Sequence, residues 1–304
     1  MPADLPRRVT LLEVSARDGL QNEQAPLTTD LRVTLVDRLT AAGFPQVEVG
    51  SFVSPKWVPQ MADTAEVMRR IHRRPGVSYS VLTPNLKGFE GALEAAADEV
   101  VVFGAASEAF SQRNINCSIA ESVARFEPVA RAAREHRMRL RASISCALGC
   151  PYQGEVAPAA VAEVARRFAD LGAHMIDIAD TIGTGTPRRT QAVLEAAQEV
   201  VPVERLAGHF HDTYGMAVAN VYTSLEMGVT TFHGSVAGLG GCPYAKGATG
   251  NVATEDLLYL FQGLGIETGV DLAEVVAIGQ WISGHLGRRA AGRAGNALAA
   301  RQAA

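Results

Sequence analysis

Short runs of apolar and β-branched residues alternate with longer stretches of helical periodicity from one end of this chain to the other. The runs predict eight strands, over 9–14, 46–50, 77–82, 98–103, 139–146, 174–180, 206–211 and 229–236. Each is followed by a helix candidate. Leu31, Leu35, Val36 and Leu39 share one face of a helix over 31–42, with Asp30 placed to cap it. Val161, Val164, Ala165, Phe168 and Leu171 repeat the pattern over 161–171. Strand starts recur at intervals of roughly 30 residues, the size of a βαβ unit. Eight such units predict an α/β fold closed into a TIM (β/α)8 barrel. The competing architecture, an open doubly wound sheet, usually carries Gly-x-Gly-x-x-Gly after its first strand. This chain has Ser15-Ala16-Arg17-Asp18-Gly19 there.

The barrel reading makes residues 1–304 one catalytic domain. Additional helices over about 253–287 exceed a minimal barrel and are expected to cover one side of it or to meet a partner subunit. From about 288 to 304 the chain is rich in Arg, Ala and Gly with few large apolar groups, which predicts a weakly ordered tail.

Composition narrows the function classes. The 304 residues are 47% hydrophobic and 20% charged, the balance of a globular chain with a large core. A formal net charge of −4 leaves no electrostatic footprint for nucleic acid or an anionic membrane, and points to small-molecule partners. No apolar run approaches the ~20 residues that span a bilayer. The first ten residues lack an apolar signal core and an amphipathic presequence, so a cytoplasmic protein is expected. The four cysteines, Cys117, Cys146, Cys150 and Cys242, do not form a disulfide framework in a chain this long. Cys146 and Cys150 resemble half of a zinc site without a second ligand pair.

Chemically capable residues collect where a barrel places its active site, at the C-terminal ends of the strands. Glu13 ends the first strand and Arg17-Asp18 follow it; Glu48 and Ser51 lie on the second; Asp180-Thr181 end the sixth; His209 and His211 end the seventh. Two histidines two apart on a strand point to one face, and with Asp18 from a nearby strand end they suit a metal. Asn251 could add an amide oxygen. Two nitrogens and two oxygens leave room for further oxygen ligands, which favours Mg2+ or Mn2+ over four-coordinate Zn2+. Arg17 reads either as an ion-pair partner of the surface or as the group that stabilises an oxyanion. Glu13 and Glu48 either orient Arg17 and water or move protons. The eighth strand runs into Gly238–Asn251, a loop with five glycines around Cys242. It reads as a lid delivering a reactive thiol, against the plainer alternative of a surface loop with an incidental cysteine.

Taken in order, Glu13, Arg17-Asp18-Gly19-Leu20-Gln21-Asn22-Glu23, Ser51-Phe52-Val53-Ser54-Pro55-Lys56-Trp57, His209-Phe210-His211-Asp212 and the Cys242 loop resemble the 3-hydroxy-3-methylglutaryl-CoA lyase family. Phe103-Gly104-Ala105-Ala106-Ser107-Glu108 and Asn114-Ile115-Asn116-Cys117-Ser118 follow the same pattern, and the likeness covers roughly residues 8 to 265. The resemblance implies a homodimeric barrel that binds Mg2+ or Mn2+ and cleaves an acyl-CoA to acetyl-CoA and acetoacetate, in leucine breakdown and ketone-body metabolism. It assigns metal ligation to Asp18, His209, His211 and Asn251, enolate stabilisation to Arg17, the mobile thiol to Cys242 and supporting proton transfer to Glu48. Gln21, Ser51, Arg141, Asp180 and Thr181 are then expected to bind substrate, with Glu13 in support. The chain departs from the lyase pattern at Ser143, Asp177 and His233, where tyrosine, serine and aspartate are usual. These changes bear on which acyl chain fits, so a different 3-hydroxyacyl-CoA, or a barrel that binds a CoA ligand without turnover, stands as the alternative.

Overall fold

A computed structural model describes residues 5–25, 27–241 and 250–302. Eight parallel strands form a closed barrel: β1 (Thr10–Glu13), β2 (Gln46–Ser51), β3 (Ser78–Leu82), β4 (Glu99–Ala105), β5 (Arg139–Ser145), β6 (Met175–Asp180), β7 (Leu206–Phe210) and β8 (Thr231–Gly234). The ring closes where β8 pairs with β1, in the register Thr10↔Thr231 to Glu13↔Gly234. Side chains alternate along each strand. On β5, Leu140, Ala142 and Ile144 join the apolar layer shared with the helices, while Arg141 takes the opposite face, inside the barrel. β6 does the same with Ile176 and Ile178 outward and Asp177 inward.

The outer ring consists of α1 (Thr29–Ala41), α2 (Thr64–Arg70), α3 (Leu86–Glu94), α4 (Glu108–Ile115), α5 (Ile119–Glu135), α6 (Pro158–Asp170), α7 (Pro187–Gln198), α8 (Ala217–Glu226) and α9 (Thr254–Gly263). α10 (Leu272–His285) and α11 (Arg293–Gln302) lie beyond them in the chain. Two expectations change. The cap of α1 is Thr28, whose hydroxyl accepts from the Leu31 N–H at 3.1 Å, because Thr28 keeps the extended backbone of a cap while Asp30 is already inside the first turn. The first of the expected extra helices, α9, is the barrel's own eighth helix: it follows β8 and lays Phe261 against Phe232 with ring centroids 5.8 Å apart.

The stretch from 288, read as a weakly ordered tail, contains α11. Its start is held by a residue outside the tail. The Asp256 carboxylate accepts the backbone N–H groups of Arg293 at 3.1 Å and Ala294 at 2.6 Å. Gly292 and Gly295 lie so close to the Glu255 side chain that a Cβ on either would come within 2.3 and 2.8 Å of it. Among the described residues no helix is long and apolar enough to cross a membrane.

Glu255 is enclosed by this packing, and burial pushes its carboxyl up to about 8, against hydrogen bonds that include the Ala237 N–H at 3.0 Å. A folded-state value above the ordinary 4.5 means that the native chain holds the extra proton between those limits, so stability falls as pH rises from about 4.5 to about 8. Glu255→Gln removes that component: the difference in Tm between variant and wild type moves in the variant's favour with rising pH across this window, read by thermal denaturation at a series of pH values.

Candidate active site

The upper end of the barrel is organised by a single π-turn, Ser15–Gly19, directly after β1. Such turns are rare and occur often at functional sites. Glu13 holds it in place. Its carboxylate, fully buried, accepts the N–H of Ser15 and of Val236, each at 3.0 Å, and the Thr254 hydroxyl at 2.6 Å. Burial raises the Glu13 pKa against those hydrogen bonds. Gly19 completes the turn where a Cβ would meet Leu239 Cβ and Ser235 Oγ at 2.9 Å, so the turn can press against the chain that leaves β8.

This turn carries Asp18 toward β7. Asp18 Oδ2 lies 3.8 Å from His211 Nε2 and 4.0 Å from His209 Nε2, and ligand atoms of all three residues fall within 4.8 Å of one another. Burial favours a neutral Asp18 carboxyl, but Arg17 and the two imidazoles outweigh it and hold its pKa well below the usual range. Burial pushes His209 down to about 4, opposed by Asp18. An ionised carboxylate with a neutral imidazole is the donor set that a divalent cation requires. His211 Nδ1 is buried and has no hydrogen-bond partner among the described residues. Asn251 bridges to His211 across an isolated β-bridge and donates Nδ2 to Asp18 Oδ2 at 2.8 Å and to the Leu239 carbonyl at 3.1 Å. In this arrangement the amide nitrogen faces the carboxylate; half a turn about the last bond presents the oxygen instead.

Arg17 donates Nη1 to Asp18 Oδ1 at 2.6 Å and Nε to Glu48 Oε1. Glu48 is buried beneath it, and its second oxygen accepts from Arg141 Nη2. Burial would raise the Glu48 pKa, yet the two guanidinium groups bring it below the usual value. Both oxygens of an ionised carboxylate are therefore spent on arginines, the geometry of an orienting group.

Under this level lies a charged layer inside the barrel. Arg141 reaches Glu48 of β2, Glu99 of β4 (Nε to Oε1, 2.9 Å), Asp177 of β6 (Nη1 to Oδ2, 2.7 Å) and His233 of β8 (Nη1 to Nε2, 3.3 Å). Burial opposes ionisation of Glu99, but His174, 2.7 Å away, and Arg141 bring it down to about 2. Asp177 goes the other way, pushed up to about 7 by burial against the pull of Arg141.

A cavity of about 890 Å3 opens above the Asp18, His209 and His211 cluster. Arg17, Asp18, Gln21, Thr181, His209 and His211 line it, so those expectations meet at one place. Thr181 also accepts from the Cys146 N–H at 2.8 Å, and Gln21 Oε1 is buried without a hydrogen-bond partner among the described residues. Three residues expected to bind substrate do not line the cavity. Arg141 is saturated by the layer below. Asp180 accepts the N–H groups of Thr184 at 3.1 Å and Gly185 at 2.8 Å, shaping the turn after β6. Ser51 accepts from the Val53 N–H at 3.1 Å and shapes the exit of β2. Of the three departures from the lyase pattern, Ser143 lines the cavity beside Phe103 and Phe126, whereas Asp177 and His233 are buried behind it. Phe103, Phe126 and Glu99 were not foreseen; a glutamate opening an otherwise apolar strand was the available signal for Glu99. Cys242 lies outside the described residues. The loop's two ends touch: a Cβ on Gly250 would lie 2.6 Å from the Gly240 carbonyl, and Asn22 Nδ2 donates to the Gly241 carbonyl at 3.1 Å.

The structure is thus a closed parallel barrel with a His-x-His-Asp cluster, a possible metal site, beside an arginine at its upper end. The chain matches the HMGL-like family over residues 8–282 and belongs to it. It is 59% identical over 298 residues, 98% of this chain and 99% of the relative, to the 3-hydroxy-3-isohexenylglutaryl-CoA/hydroxy-methylglutaryl-CoA lyase of Pseudomonas aeruginosa. It is 57% identical over 295 residues to the hydroxymethylglutaryl-CoA lyase of Pseudomonas mevalonii, covering 97% of this chain and 98% of that one. The crystal structure of hydroxymethylglutaryl-CoA lyase from Pseudomonas aeruginosa superposes with a TM-score of 0.96 at 59% identity, over 98% of this chain and 99% of that one.

Removing one partner of a buried ion network leaves charges uncompensated, which typically costs about 3–5 kcal/mol. Arg141→Ala is expected to lower the unfolding free energy by that order in urea titrations. A loss below about 1 kcal/mol would contradict the role of Arg141 as the tie of the layer.

Proposed function

We propose that this protein is a divalent-metal-dependent lyase that cleaves 3-hydroxy-3-methylglutaryl-CoA to acetyl-CoA and acetoacetate. The observation that carries this reading is the convergence of Arg17 with Asp18, His209 and His211 on the wall of one cavity. Asp18, His209 and His211, with Asn251 through its amide oxygen, would hold Mg2+ or Mn2+. When bound, such an ion would supply Lewis-acid polarisation of the substrate's C3 hydroxyl oxygen.

The chain's own groups account for the remaining work. Transfer of the C3 hydroxyl proton to solvent turns that oxygen into the ketone of acetoacetate as the C2–C3 bond breaks. The electron pair of that bond passes to the thioester, whose enolate oxygen takes the place beside the Arg17 guanidinium. Glu48 keeps Arg17 aimed and charged. A proton delivered to C2 then gives acetyl-CoA, and Cys242, in the loop between Gly241 and Gly250, is the proposed donor or relay. Closure of that loop would exclude water from the enolate.

A second reading concerns the branch at C3. Ser143, where the lyase pattern has a bulky phenol, leaves space beside Phe103 and Phe126. One close relative carries an isohexenyl substrate in its name. That supports acceptance of a longer apolar branch as well as methyl.

With Mn2+ or Mg2+ supplied, the purified protein should release acetoacetate from 3-hydroxy-3-methylglutaryl-CoA, and EDTA should stop it. Arg17→Gln should lower kcat by about 10²–10³-fold, the usual effect of removing an oxyanion donor. No acetoacetate with either metal would refute the proposal. Ser143→Tyr should cut kcat/KM for the isohexenyl-branched thioester at least about tenfold more than for the methyl one, the scale at which a pocket rejects added bulk. Equal effects on both would reject the branch reading.

A further inference from the structure

His209 is backed by a second imidazole. Its Nε2 is the nitrogen turned toward Asp18, and its Nδ1 meets Nδ1 of His233 at 3.1 Å. The two rings stand at 88° with centroids 5.2 Å apart. The far nitrogen of His233, Nε2, lies 3.4 Å from Asp177 Oδ1 and 3.3 Å from Arg141 Nη1. Asp177 Oδ2 is already taken by Arg141 Nη1 at 2.7 Å, while Oδ1 is buried with no hydrogen-bond partner.

These contacts permit two directions of hydrogen bonding, and they are not equivalent. If His233 Nε2 accepts from Arg141, its proton sits on Nδ1 and is donated to His209 Nδ1. The His209 proton is then on Nε2, and that nitrogen has no lone pair for a cation. If His233 Nε2 instead donates to Asp177 Oδ1, its Nδ1 accepts from His209 Nδ1–H, and His209 Nε2 is open to ligate. For the ionised Asp177 that pairs with Arg141 at 2.7 Å, the second direction also satisfies the buried Oδ1. We infer that Asp177 and His233 are positioning residues that fix His209 in its ligating tautomer, with Arg141 pinning the Asp177 carboxylate that ends the chain. The inference rests on the metal-site reading above. Neither residue lines the cavity, so neither acts on substrate directly.

The geometry supplies an isosteric test. Because Arg141 requires an oxygen from residue 177, Asp177→Asn must turn its amide nitrogen toward His233 Nε2, which reverses the direction of donation. The double variant Asp177→Ser/His233→Asp takes the other route: an aspartate oxygen at 233 occupies nearly the place of the imidazole Nδ1 and accepts directly from His209. Mn2+ affinity is measured by calorimetric titration of the intact chain, and ring tautomers by long-range 1H–15N correlation in the Mg2+-loaded protein. Outer-shell partners of metal-bound histidines typically contribute about 10–100-fold in affinity. Asp177→Asn should weaken Mn2+ binding by that factor, and the double variant should return it to within about threefold of wild type.

In the wild type, His209 should carry its proton on Nδ1 and His233 on Nε2. A His233 protonated on Nδ1 overturns the inference without any variant, whether or not Asp177→Asn folds. So does an Asp177→Asn protein that binds Mn2+ as tightly as wild type. Wild type that binds no Mn2+ at all refutes the metal-site reading instead, and is distinguished from the other outcomes by that result alone.

Discussion

A guanidinium enclosed in the middle of a barrel sets a condition that the surrounding strands must meet together. Arg141 meets Glu48, Glu99, Asp177 and His233, which come from β2, β4, β6 and β8. Barrel interiors are usually filled by layers of four side chains from alternate strands, mostly bulky and apolar. Here one such layer is ionic, with an arginine from β5 inserted between its members. A charge cluster of this kind is poor evidence for stability in itself, since desolvation offsets much of the attraction. What it provides is directional: each partner is held in one orientation because each hydrogen bond has one geometry that works.

The level above inherits that order. Glu48 passes it to Arg17, and Arg17 to Asp18, through consecutive charge-assisted contacts. His233 adjoins His209 from the same layer. The residues on the cavity wall therefore rest on side chains whose own freedom has been removed, the condition for holding a reacting group within a fraction of an ångström.

Strand positions were legible because alternation of apolar and polar residues is local information, and every predicted strand overlaps an observed one. The Asp18, His209 and His211 cluster was legible for a related reason: the two histidines share a face by spacing, and ring closure brings Asp18 beside them. Arg141, Asp180 and Ser51 lie off the cavity wall, and their partners are set by which atoms meet across the barrel or in a turn, which no spacing along one strand encodes. The same holds for α11. Its stop and start cannot be read from its own residues when Asp256, on another helix, satisfies its first N–H groups. Asp177 and His233 stood out as departures from a family pattern, but it is the closing of the barrel that sets them facing each other, off the cavity wall.

The Glu13 carboxylate joins the first strand to Val236, just past the last strand, and to Thr254, at the start of α9. These partners are separated by more than two-thirds of the chain, so the contact forms only when the ring is nearly complete, after the entropy of the longest loop has been overcome. The π-turn that carries Arg17 and Asp18 hangs from the same carboxylate. During folding or synthesis, then, the Asp18, His209 and His211 cluster is not assembled until the final strand has docked. Possession of the site is in effect a signature of a finished barrel, and a chain truncated before β8 would have most of the residues of the site and none of its geometry.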